Sequence, residues 1–519
     1  MSFREPHLLH DYLIESARTL SSKVALVCAG QRLTYGEIDA RANQLAHGLR
    51  RRGVQRGERV VVFADNGPEA AIAFWAALKA DAVACVVNPL TKADKLAYLL
   101  NDCRARALVT EAPLARVFLE AARRSPHLES VVVAGDPEEG LLRQVAGGVS
   151  WDFVLSAERA DQPPSRQAID VDLAAIVYTS GSTGDPKGVM LTHRNMLTAS
   201  RSIAEYLEIA EDEVILGVLP LAFDYGLYQM IMAFRVGARL VLERSFAYPA
   251  QVLNAVVEEG VTGFPGVPTV FAILAELKDL SPYDFSRVRY VTNTAAALFP
   301  KHIRALQRLF PRARIYSMYG LTECKRCTYL PPGMIDQKSG SVGIAIPNTE
   351  LWLVDENDRR LGPGQVGQLV IRGATVMSGY WEKPEATAEK LRPGPLPGER
   401  VLYTGDLCRL DEDGYLYFVG RMDDIIKSRG EKVAPKEVER ALSDVEGVKE
   451  VAVIGVPDDL LGQAVKAFVV LEKGAALTEK DLMRECQKRL EAFMVPKHIE
   501  LRDELPKTGS GKIRKTGLS

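Results

Sequence analysis

Residues 178–188 are Tyr-Thr-Ser-Gly-Ser-Thr-Gly-Asp-Pro-Lys-Gly, directly after an apolar run, 174–178, that predicts a buried strand. Glycines allow backbone N–H groups to turn towards an anion without interference from a Cβ atom. Hydroxyl groups and one ammonium add further donors. The stretch therefore predicts a phosphate-binding loop rather than an ordinary surface loop, and its candidate ligand-binding residues are Thr179, Ser180, Gly181, Ser182, Thr183, Gly184 and Lys187.

The loop is not of the Walker A type. Pro186 stands where a glycine precedes the lysine of a Walker A loop, so hydrolysis between the β- and γ-phosphates is not the natural expectation. The bound phosphates are expected to react in some other way.

The segments around this loop alternate between helix-like and strand-like patterns. Thr34 and Glu37 have the spacing of a capping box at a helix start, and residues 59–63 and 130–134 form short apolar runs typical of buried strands. This alternation predicts an α/β fold with layered subdomains and largely parallel strands.

The pattern of residue types changes after about residue 335. Strand-like runs separated by Asp/Gly turns predict a β-rich subdomain, and Asp413-Gly414 predicts a hairpin. Helices at 435–442 and 479–489 and strands at 451–455 and 465–471 predict a small α+β domain. We expect a large N-terminal domain, 1–422, and a mobile C-terminal domain, 424–519, in which residues 505–515 form a mobile loop.

Composition excludes several functional classes. Lys plus Arg (65) nearly balances Asp plus Glu (67) in the 519 residues, which gives no electrostatic reason to expect nucleic acid as a partner. The longest apolar stretch is interrupted by Lys79 and Asp81, so no membrane span is expected. Seven scattered cysteines indicate reduced thiols and a cytoplasmic location. Cys324 and Cys327 form an isolated pair, which indicates two incidental thiols and not a zinc site.

Five further motifs follow in order along the chain. Together with residues 178–188 they resemble the adenylate-forming superfamily, which includes acyl-CoA synthetases, adenylation domains of nonribosomal peptide synthetases, and luciferases. The motifs are Tyr319-Gly-Leu-Thr-Glu323, 367–373 followed by Gly379-Tyr380, Tyr403-Thr-Gly-Asp406, Gly420-Arg-Met-Asp423 followed by 427–430, and Pro506-Lys-Thr-Gly-Ser-Gly-Lys512.

The resemblance implies roles for residues that would bind ATP. Tyr319 and Gly320 would lie against the adenine, Asp406 would accept the ribose hydroxyls, and Arg421 would reach the ribose or the phosphates.

Other roles implied by the resemblance concern catalysis. Glu323 would hold Mg²⁺ and Thr322 would donate to a phosphate, while Lys187 and Lys512 would stabilise the charge of the first half-reaction. Asp423 matches the hinge at which the small domain of this superfamily rotates.

The acid pocket is expected around residues 223–224 and 295–297. Phe223 and Asp224 follow a Leu-Pro-Leu stretch that lacks the aromatic–His pair of many acyl-CoA synthetases. Asp224 resembles the carboxylate with which peptide-synthetase domains hold an α-amino group, although an Asp here could also satisfy backbone groups. The small residues Ala295, Ala296 and Ala297 resemble the strand end that borders the acyl pocket.

The resemblance favours an enzyme that activates a carboxylic acid with ATP to acyl-AMP and then transfers the acyl group to CoA. Two alternatives keep the adenylation and change the acceptor, to a carrier-protein phosphopantetheine or to the amine of an amino acid, as in an amide ligase resembling coronafacate ligase. A different class, a nucleotide-binding regulator without catalysis, is disfavoured by the presence of Lys187, Glu323, Asp406 and Lys512.

Overall fold

The computed structural model describes residues 6–157, 162–179, 185–277, 279–294, 300–428, 431–458, 461–507, 513–515 and 517–518. Within these ranges the chain forms strands and helices in alternation through its first 320 residues and mainly strands for the next hundred. This order agrees with the α/β pattern and with the change in the pattern of residue types near residue 335.

The strands of the described chain, numbered in order, are β1 Val24–Cys28, β2 Gln31–Thr34, β3 Arg59–Phe63, β4 Val83–Val87, β5 Ala105–Glu111, β6 Ser130–Ala134, β7 Gly148–Ser150, β8 Leu173–Thr179, β9 Lys187–Thr192, β10 Val214–Gly217, β11 Arg239–Leu242, β12 Gly263–Gly266, β13 Tyr290–Asn293, β14 Arg314–Tyr319, β15 Thr328–Tyr329, β16 Ile344–Ala345, β17 Thr349–Val354, β18 Val366–Gly373, β19 Gly379–Tyr380, β20 Leu391–Pro393, β21 Arg400–Leu410, β22 Leu416–Arg421, β23 Ile426–Ser428, β24 Glu431–Val433, β25 Val448–Asp458, β26 Gly462–Leu471 and β27 His498–Leu501.

The α-helices, numbered in the same way, are α1 Asp11–Thr19, α2 Tyr35–Arg51, α3 Pro68–Lys79, α4 Ala93–Asp102, α5 Ala115–Arg123, α6 Glu139–Leu142, α7 Trp151–Ala157, α8 His193–Leu207, α9 Asp224–Val236, α10 Pro249–Glu258, α11 Pro268–Glu276, α12 Pro300–Leu309, α13 Pro384–Lys390, α14 Pro435–Ser443 and α15 Glu479–Arg489. Short 3₁₀ turns occur at Ala112–Leu114, Pro332–Met334 and Met422–Asp424.

Two large sheets form the centre of the N-terminal part. One has the order β16-β15-β14-β13-β12-β10-β11-β1-β2 and is parallel from β14 to β1. The other has the order β19-β9-β8-β4-β3-β5-β6-β7 and is parallel from β8 to β7. Helices connect the parallel strands, as such crossovers require, so the prediction of largely parallel α/β layers is confirmed.

The main hydrophobic core joins these two sheets. Helix α3 is buried along almost its whole length, and Trp75 of α3 stacks on Phe234 of α9 with ring centroids 5.3 Å apart. Lys79 at the end of α3 is buried, and its Nζ donates to Asp39 and Asn43. In the part of the chain that the structure describes, no helix is both long and apolar enough to cross a membrane.

The predicted β-rich subdomain is an antiparallel sheet with the order β17-β18-β21-β20, with β22 paired to β21. Residues 411–415 connect β21 to β22, and Asp411 Oδ1 accepts hydrogen bonds from the backbone N–H groups of Asp413 and Tyr415. Gly414 has φ +81°, a left-handed conformation that favours glycine. The predicted hairpin is therefore present, with a connection longer than the Asp-Gly pair alone.

The C-terminal residues form a separate sheet and core. The sheet has the order β24-β23-β26-β25, with β27 parallel to β26, and α14 and α15 help to enclose apolar side chains such as Val438, Val453 and Leu482. Helix α15 has the predicted bounds, whereas β25 extends from 448 to 458 rather than 451 to 455 because β25 and β26 pair along their full length. The sequence did not predict this extension because polar residues at the ends of β25 interrupt the apolar pattern.

Candidate functional site

Several candidate site residues lie at or directly after the carboxyl ends of parallel strands in the two large sheets, whereas Asp406 and Arg421 lie on β21 and β22 of the antiparallel sheet. Strand β8 ends at Thr179, β13 at Asn293 and β14 at Tyr319, so the predicted segments begin where these strands finish. Open α/β sheets bind ligands at this edge. Ser180, Gly181, Ser182, Thr183, Gly184, Ala295, Ala296, Ala297 and Lys512 lie outside the described residues, and their roles stay predictions.

The two ends of the predicted phosphate loop are held close together. Thr179 of β8 and Lys187 of β9 are antiparallel partners, and Tyr98 Oη donates to the Pro186 carbonyl over 3.1 Å. Tyr178 Oη donates to Asp102 Oδ2 over 2.6 Å. Sequence reasoning missed Tyr98 and Asp102, because neither lies in a motif and both reach the loop through the tertiary fold.

Glu323, Lys187 and Tyr380 meet on one side of the site. Tyr380 Oη donates to Glu323 Oε1 over 2.6 Å, and Lys187 Nζ lies 5.5 Å from the centroid of the Tyr380 ring. Burial and the neighbouring Glu323 charge raise the pKa of Tyr380, so its hydroxyl remains a donor. Thr322 precedes Glu323 and is half-buried. The structure thus brings together residues from three separate motifs.

The donor set at Glu323 suits Mg²⁺ held partly by a substrate. Among the described residues, no group of three or more His, Cys, Asp or Glu side chains forms a metal cage. Mg²⁺ in phosphate-binding sites commonly takes one or two carboxylates and completes its shell with phosphate oxygens and water. A single carboxylate bonded to Tyr380, whose ring also lies near Lys187, fits that arrangement.

Asp406 is a nearly buried carboxylate, with an exposed fraction of 3%. Tyr319 Oη donates to its Oδ2, and Arg421 Nη1 lies 3.1 Å from its Oδ1. Oδ1 accepts no hydrogen bond within the described structure. Burial raises the pKa of Asp406, while the Arg421 charge acts in the opposite direction. Because buried acceptors normally have partners, Oδ1 is suited to accept a ligand hydroxyl.

The loop between β14 and β15 is a compact turn. Cys327 N–H donates to the Tyr319 carbonyl, which closes residues 320–326 into a loop. A Cβ atom on Gly320 would lie 2.3 Å from the Lys325 carbonyl oxygen, so this position requires glycine. The Sγ atoms of Cys324 and Cys327 are 2.9 Å apart and buried. The glycine of the Tyr-Gly-Leu-Thr-Glu motif therefore serves the turn that follows the motif.

Asp224 is the first residue of α9 and makes a contact that the sequence did not suggest. Lys325 Nζ lies 3.3 Å from Asp224 Oδ2 and 3.7 Å from the centroid of the Tyr228 ring. The Lys325 side chain is 2% exposed and that of Asp224 24% exposed. Burial lowers the pKa of Lys325 to about 7, and the Asp224 charge opposes that shift. Phe223, just before the helix, is half-buried.

Asp423 and the C-terminal tail lie beyond these residues in the sequence. Asp423 is exposed in the 3₁₀ turn between β22 and β23. On either side of residues 508–512, Lys507 pairs with Glu450 at 2.6 Å and Lys515 pairs with the buried Glu439 at 2.8 Å. Leu505 and Leu518 pack with Phe468. The described parts of the predicted mobile loop are thus anchored to the C-terminal sheet and helix α14.

Comparison with known families gives two matches along the chain. The family described as AMP-binding enzyme matches residues 13–381, and the one described as AMP-binding enzyme C-terminal domain matches residues 437–512. The two matches cover all the candidate site residues described above except Asp406, Arg421 and Asp423, which lie between the matched segments.

Individual proteins resemble the chain over nearly its whole length. A long-chain-fatty-acid–CoA ligase of Bacillus subtilis (strain 168) is 31% identical, covering 98% of this chain and 94% of the relative. A feruloyl-CoA synthase of Amycolatopsis sp. is 33% identical, covering 98% and 97%. The crystal structure of an anthranilate CoA ligase in complex with anthranoyl-AMP has a TM-score of 0.90 and 30% identity, covering 99% of this chain and 97% of that one.

Proposed function

The chain belongs to the family of AMP-binding enzymes, and on that basis we propose which of its residues bind ATP, the acid and Mg²⁺. It is an AMP-forming acid–thiol ligase of the adenylate-forming superfamily: with ATP it adenylates a carboxylic acid and then transfers the acyl group to CoA. The roles of individual residues and the identity of the acid go beyond that statement and are proposed below.

Asp406 and Tyr319 would hold the nucleoside of ATP. The unbonded Oδ1 of Asp406 would accept a ribose hydroxyl, and the Tyr319 ring, 6.0 Å from Phe418, would pack against the adenine beside Gly320. Arg421 would contact the ribose or the phosphates from its position beside Asp406. This buried carboxylate oxygen, which accepts no hydrogen bond within the described residues, is the observation that carries the assignment of the nucleotide site.

The first half-reaction joins the acid to the α-phosphorus. An oxygen of the substrate carboxylate forms a bond to the α-phosphorus, the bond to the bridging oxygen of the β-phosphate breaks, and pyrophosphate leaves with that electron pair. Lys187 and Lys512 would stabilise the negative charge on the phosphoryl oxygens. Residues 179–184 and Thr322 would donate to the phosphates.

Mg²⁺ fits this site with Glu323 as its protein ligand. When bound, the ion would neutralise part of the charge on the phosphate oxygens. Tyr380, by donating to Glu323 Oε1, would leave Oε2 free to face the ion.

In the second half-reaction the CoA thiolate attacks the acyl carbonyl carbon and AMP leaves with the bonding electrons of the acyl–phosphate oxygen bond. We propose that Asp423 is the hinge about which residues 424–519 rotate between the two half-reactions, relative to residues 1–422. Its exposure and its place in a short turn between β22 and β23 support this role.

Two other acceptors remain to be compared with CoA. A carrier-protein phosphopantetheine thiol would attack the same acyl carbon, and the amine of an amino acid would form an amide. The relatives named for CoA ligase activity favour CoA. A cytoplasmic location is proposed from the seven cysteines, all of them unpaired thiols.

The test is pyrophosphate exchange driven by a panel of aryl, short-chain, fatty and amino acids, followed by AMP release with CoA, carrier protein or amino acid. Formation of ADP and phosphate in place of AMP and pyrophosphate would contradict the proposal. The variant Lys512→Ala is expected to lose acyl-AMP formation while retaining transfer from supplied acyl-AMP. Equal loss of both half-reactions would remove Lys512 from the first step.

A further inference from the structure

Lys325 occupies a strained position in the backbone. Its φ is +67°, and the Arg326 N–H donates to the Cys324 carbonyl over 2.9 Å, which makes residues 324–326 a γ-turn of the rare type with positive φ. A positive φ is an unfavourable backbone conformation for a lysine. Such strain persists where the surrounding structure requires it and is concentrated at functional sites. The turn directs the Lys325 side chain into the protein, towards helix α9.

Lys325 has one anionic neighbour. Among the contacts of the described residues, Asp224 is the single carboxylate within ion-pair distance of Lys325, and Lys325 Nζ makes no hydrogen bond. The face of the Tyr228 ring is its other stabilising contact, at 3.7 Å. A buried ammonium that loses its only carboxylate is strongly destabilised. The pairing with Asp224 is therefore difficult to exchange for another.

A second cation lies beside this pair. Arg326 is 2% exposed, its Cζ lies 5.0 Å from the centroid of the Tyr225 ring, and its Nη1 contacts Met318 Sδ at 3.2 Å. Its Nε makes no hydrogen bond within the described chain. Two buried basic side chains thus lie near the start of α9, Lys325 beside Asp224 and Arg326 beside Tyr225, and an additional positive charge there would be repelled.

Building on the function proposed above, we propose that Lys325 is a specificity-determining residue, because its side-chain amino group occupies the place at Asp224 that the amino group of an amino acid would need. The acid taken by this site is then one without an amino group next to its reacting carboxylate. The outer, part-exposed side of Asp224 remains able to accept a hydrogen bond from a neutral donor such as a hydroxyl.

This inference changes the expectation for Asp224. The sequence resemblance suggested a carboxylate that receives a substrate ammonium, yet that carboxylate already has an internal ammonium 3.3 Å away. An amino acid could bind only by adding a third cation beside Lys325 and Arg326, or by displacing Lys325 and leaving it buried without an anion. Both outcomes disfavour amino acids relative to their amino-free counterparts.

The test uses matched acids that differ only by a protonated amino group: propanoate with alanine, and 3-phenylpropanoate with phenylalanine. Acid-dependent pyrophosphate exchange gives kcat/KM for each. The wild-type enzyme is expected to prefer the amino-free member of each pair it accepts by at least 100-fold. In Lys325→Met, the ratio of kcat/KM for the amino-bearing acid to kcat/KM for the amino-free acid should rise at least 100-fold, since Asp224 is then an unpaired carboxylate facing the substrate.

Controls separate charge from packing. In the double variant Asp224→Asn/Lys325→Met the gain for amino acids should disappear. Lys79→Met removes an equally buried lysine that pairs with Asp39 and is placed in no binding role here; it is expected to lower stability and leave the substrate ratio unchanged. If Lys325→Met does not fold, Lys325→Gln is measured in its place with the same expected rise in the ratio, and a wild-type preference for the amino-bearing acid would by itself overturn the role of Lys325.

The outcomes distinguish this inference from the function on which it depends. A wild-type enzyme that activates an amino acid better than its amino-free partner, or a folded Lys325→Met with an unchanged ratio, would overturn the role of Lys325 while leaving AMP-forming ligation intact. Pyrophosphate exchange with none of the acids of the wider panel would contradict the proposed function and the inference with it.

Discussion

Asp406 illustrates how a single buried carboxylate is prepared for a ligand. Tyr319 already donates to one of its oxygens, and Arg421 supplies a nearby positive charge without hydrogen bonding to the other. Leaving an acceptor unpaired in the protein interior is unfavourable, and the loss is recovered when a donor binds. We therefore expect the ribose hydroxyls to contribute strongly to ATP affinity.

Asp406→Asn should raise KM for ATP by about 10- to 100-fold, the range expected for a lost hydrogen bond to a charged group. The wild-type enzyme should discriminate against 2′,3′-dideoxy-ATP by a similar factor, and this discrimination should collapse in the variant. Steady-state pyrophosphate exchange with both nucleotides measures the two effects. Discrimination that survives in Asp406→Asn would place the ribose elsewhere.

His193 provides a prediction on pH and stability. It is buried at the start of α8, its Nδ1 accepts the Leu9 N–H over 3.0 Å, and burial lowers its pKa to about 4. In the unfolded chain the pKa of a histidine is about 6.5, so His193 takes up a proton there at a higher pH than in the folded protein. Its contribution to stability is therefore complete above pH 6.5 and is lost as the pH falls towards 4.

His193→Asn keeps an acceptor and removes the titrating group. Between pH 7 and 4, its unfolding free energy should fall by about 2–3 kcal/mol less than that of the wild type. Denaturant unfolding at a series of pH values tests this, and comparing slopes cancels the effects of titrating groups that do not interact with His193. Parallel pH profiles would exclude His193 as the source.

At the scale of elements, helix starts and strand cores could be predicted from the sequence. The Thr34 capping box is present as expected, because it depends only on residues three apart. The apolar run at 174–178 also predicted the strand that precedes the phosphate loop, β8. The pairings of Asp224 with Lys325 and of Tyr178 with Asp102 could not be predicted, since the partners are 101 and 76 positions apart and meet only through the sheet order.

Helix α8 connects a capping box to the candidate site. Thr192 and Asn195 form the box, and Asn195 Nδ2 also donates to the carbonyls of Ala374 and Val376, shortly before Tyr380. Asn195→Asp retains the capping acceptor but turns a carboxylate towards those carbonyls. The unfolding free energy should fall by about 2–3 kcal/mol.

Urea unfolding of Asn195→Asp checks this, with Thr192→Ser as the matched control that retains the capping hydroxyl. The control should stay within about 0.5 kcal/mol of the wild type. A similar small change for Asn195→Asp would show that the two carbonyl contacts contribute little.

At the scale of the whole molecule, the C-terminal unit has its own core and carries the tail with Lys512. Glu439, 2% exposed, binds both Lys436 and Lys515, and it accepts the Val453 N–H. Those charges lower the pKa of Glu439 against the effect of burial, so it remains ionised at neutral pH. This buried contact fixes the chain shortly after residue 512.

Glu439→Gln weakens the anchor of the tail. Acyl-AMP formation is expected to fall by about 10-fold or more, an estimate based on breaking a buried charge contact, while transfer from supplied acyl-AMP changes little. Pyrophosphate exchange and single-turnover transfer measure the two steps. Glu450→Gln, which breaks the more exposed pair with Lys507, should have a smaller effect. Equal loss of both steps in Glu439→Gln would indicate a general folding defect.

The closed turn between β14 and β15 has a consequence for how such an enzyme changes its preferred acid. Glu323 and Lys325 are separated by a single residue, and the turn is clamped at Gly320 and Cys327. Substitutions here alter the nucleotide end of the site together with the acid end. Directed evolution of a new specificity should therefore begin at Phe223, just before α9, which can be varied while the turn and its partner Asp224 are left alone.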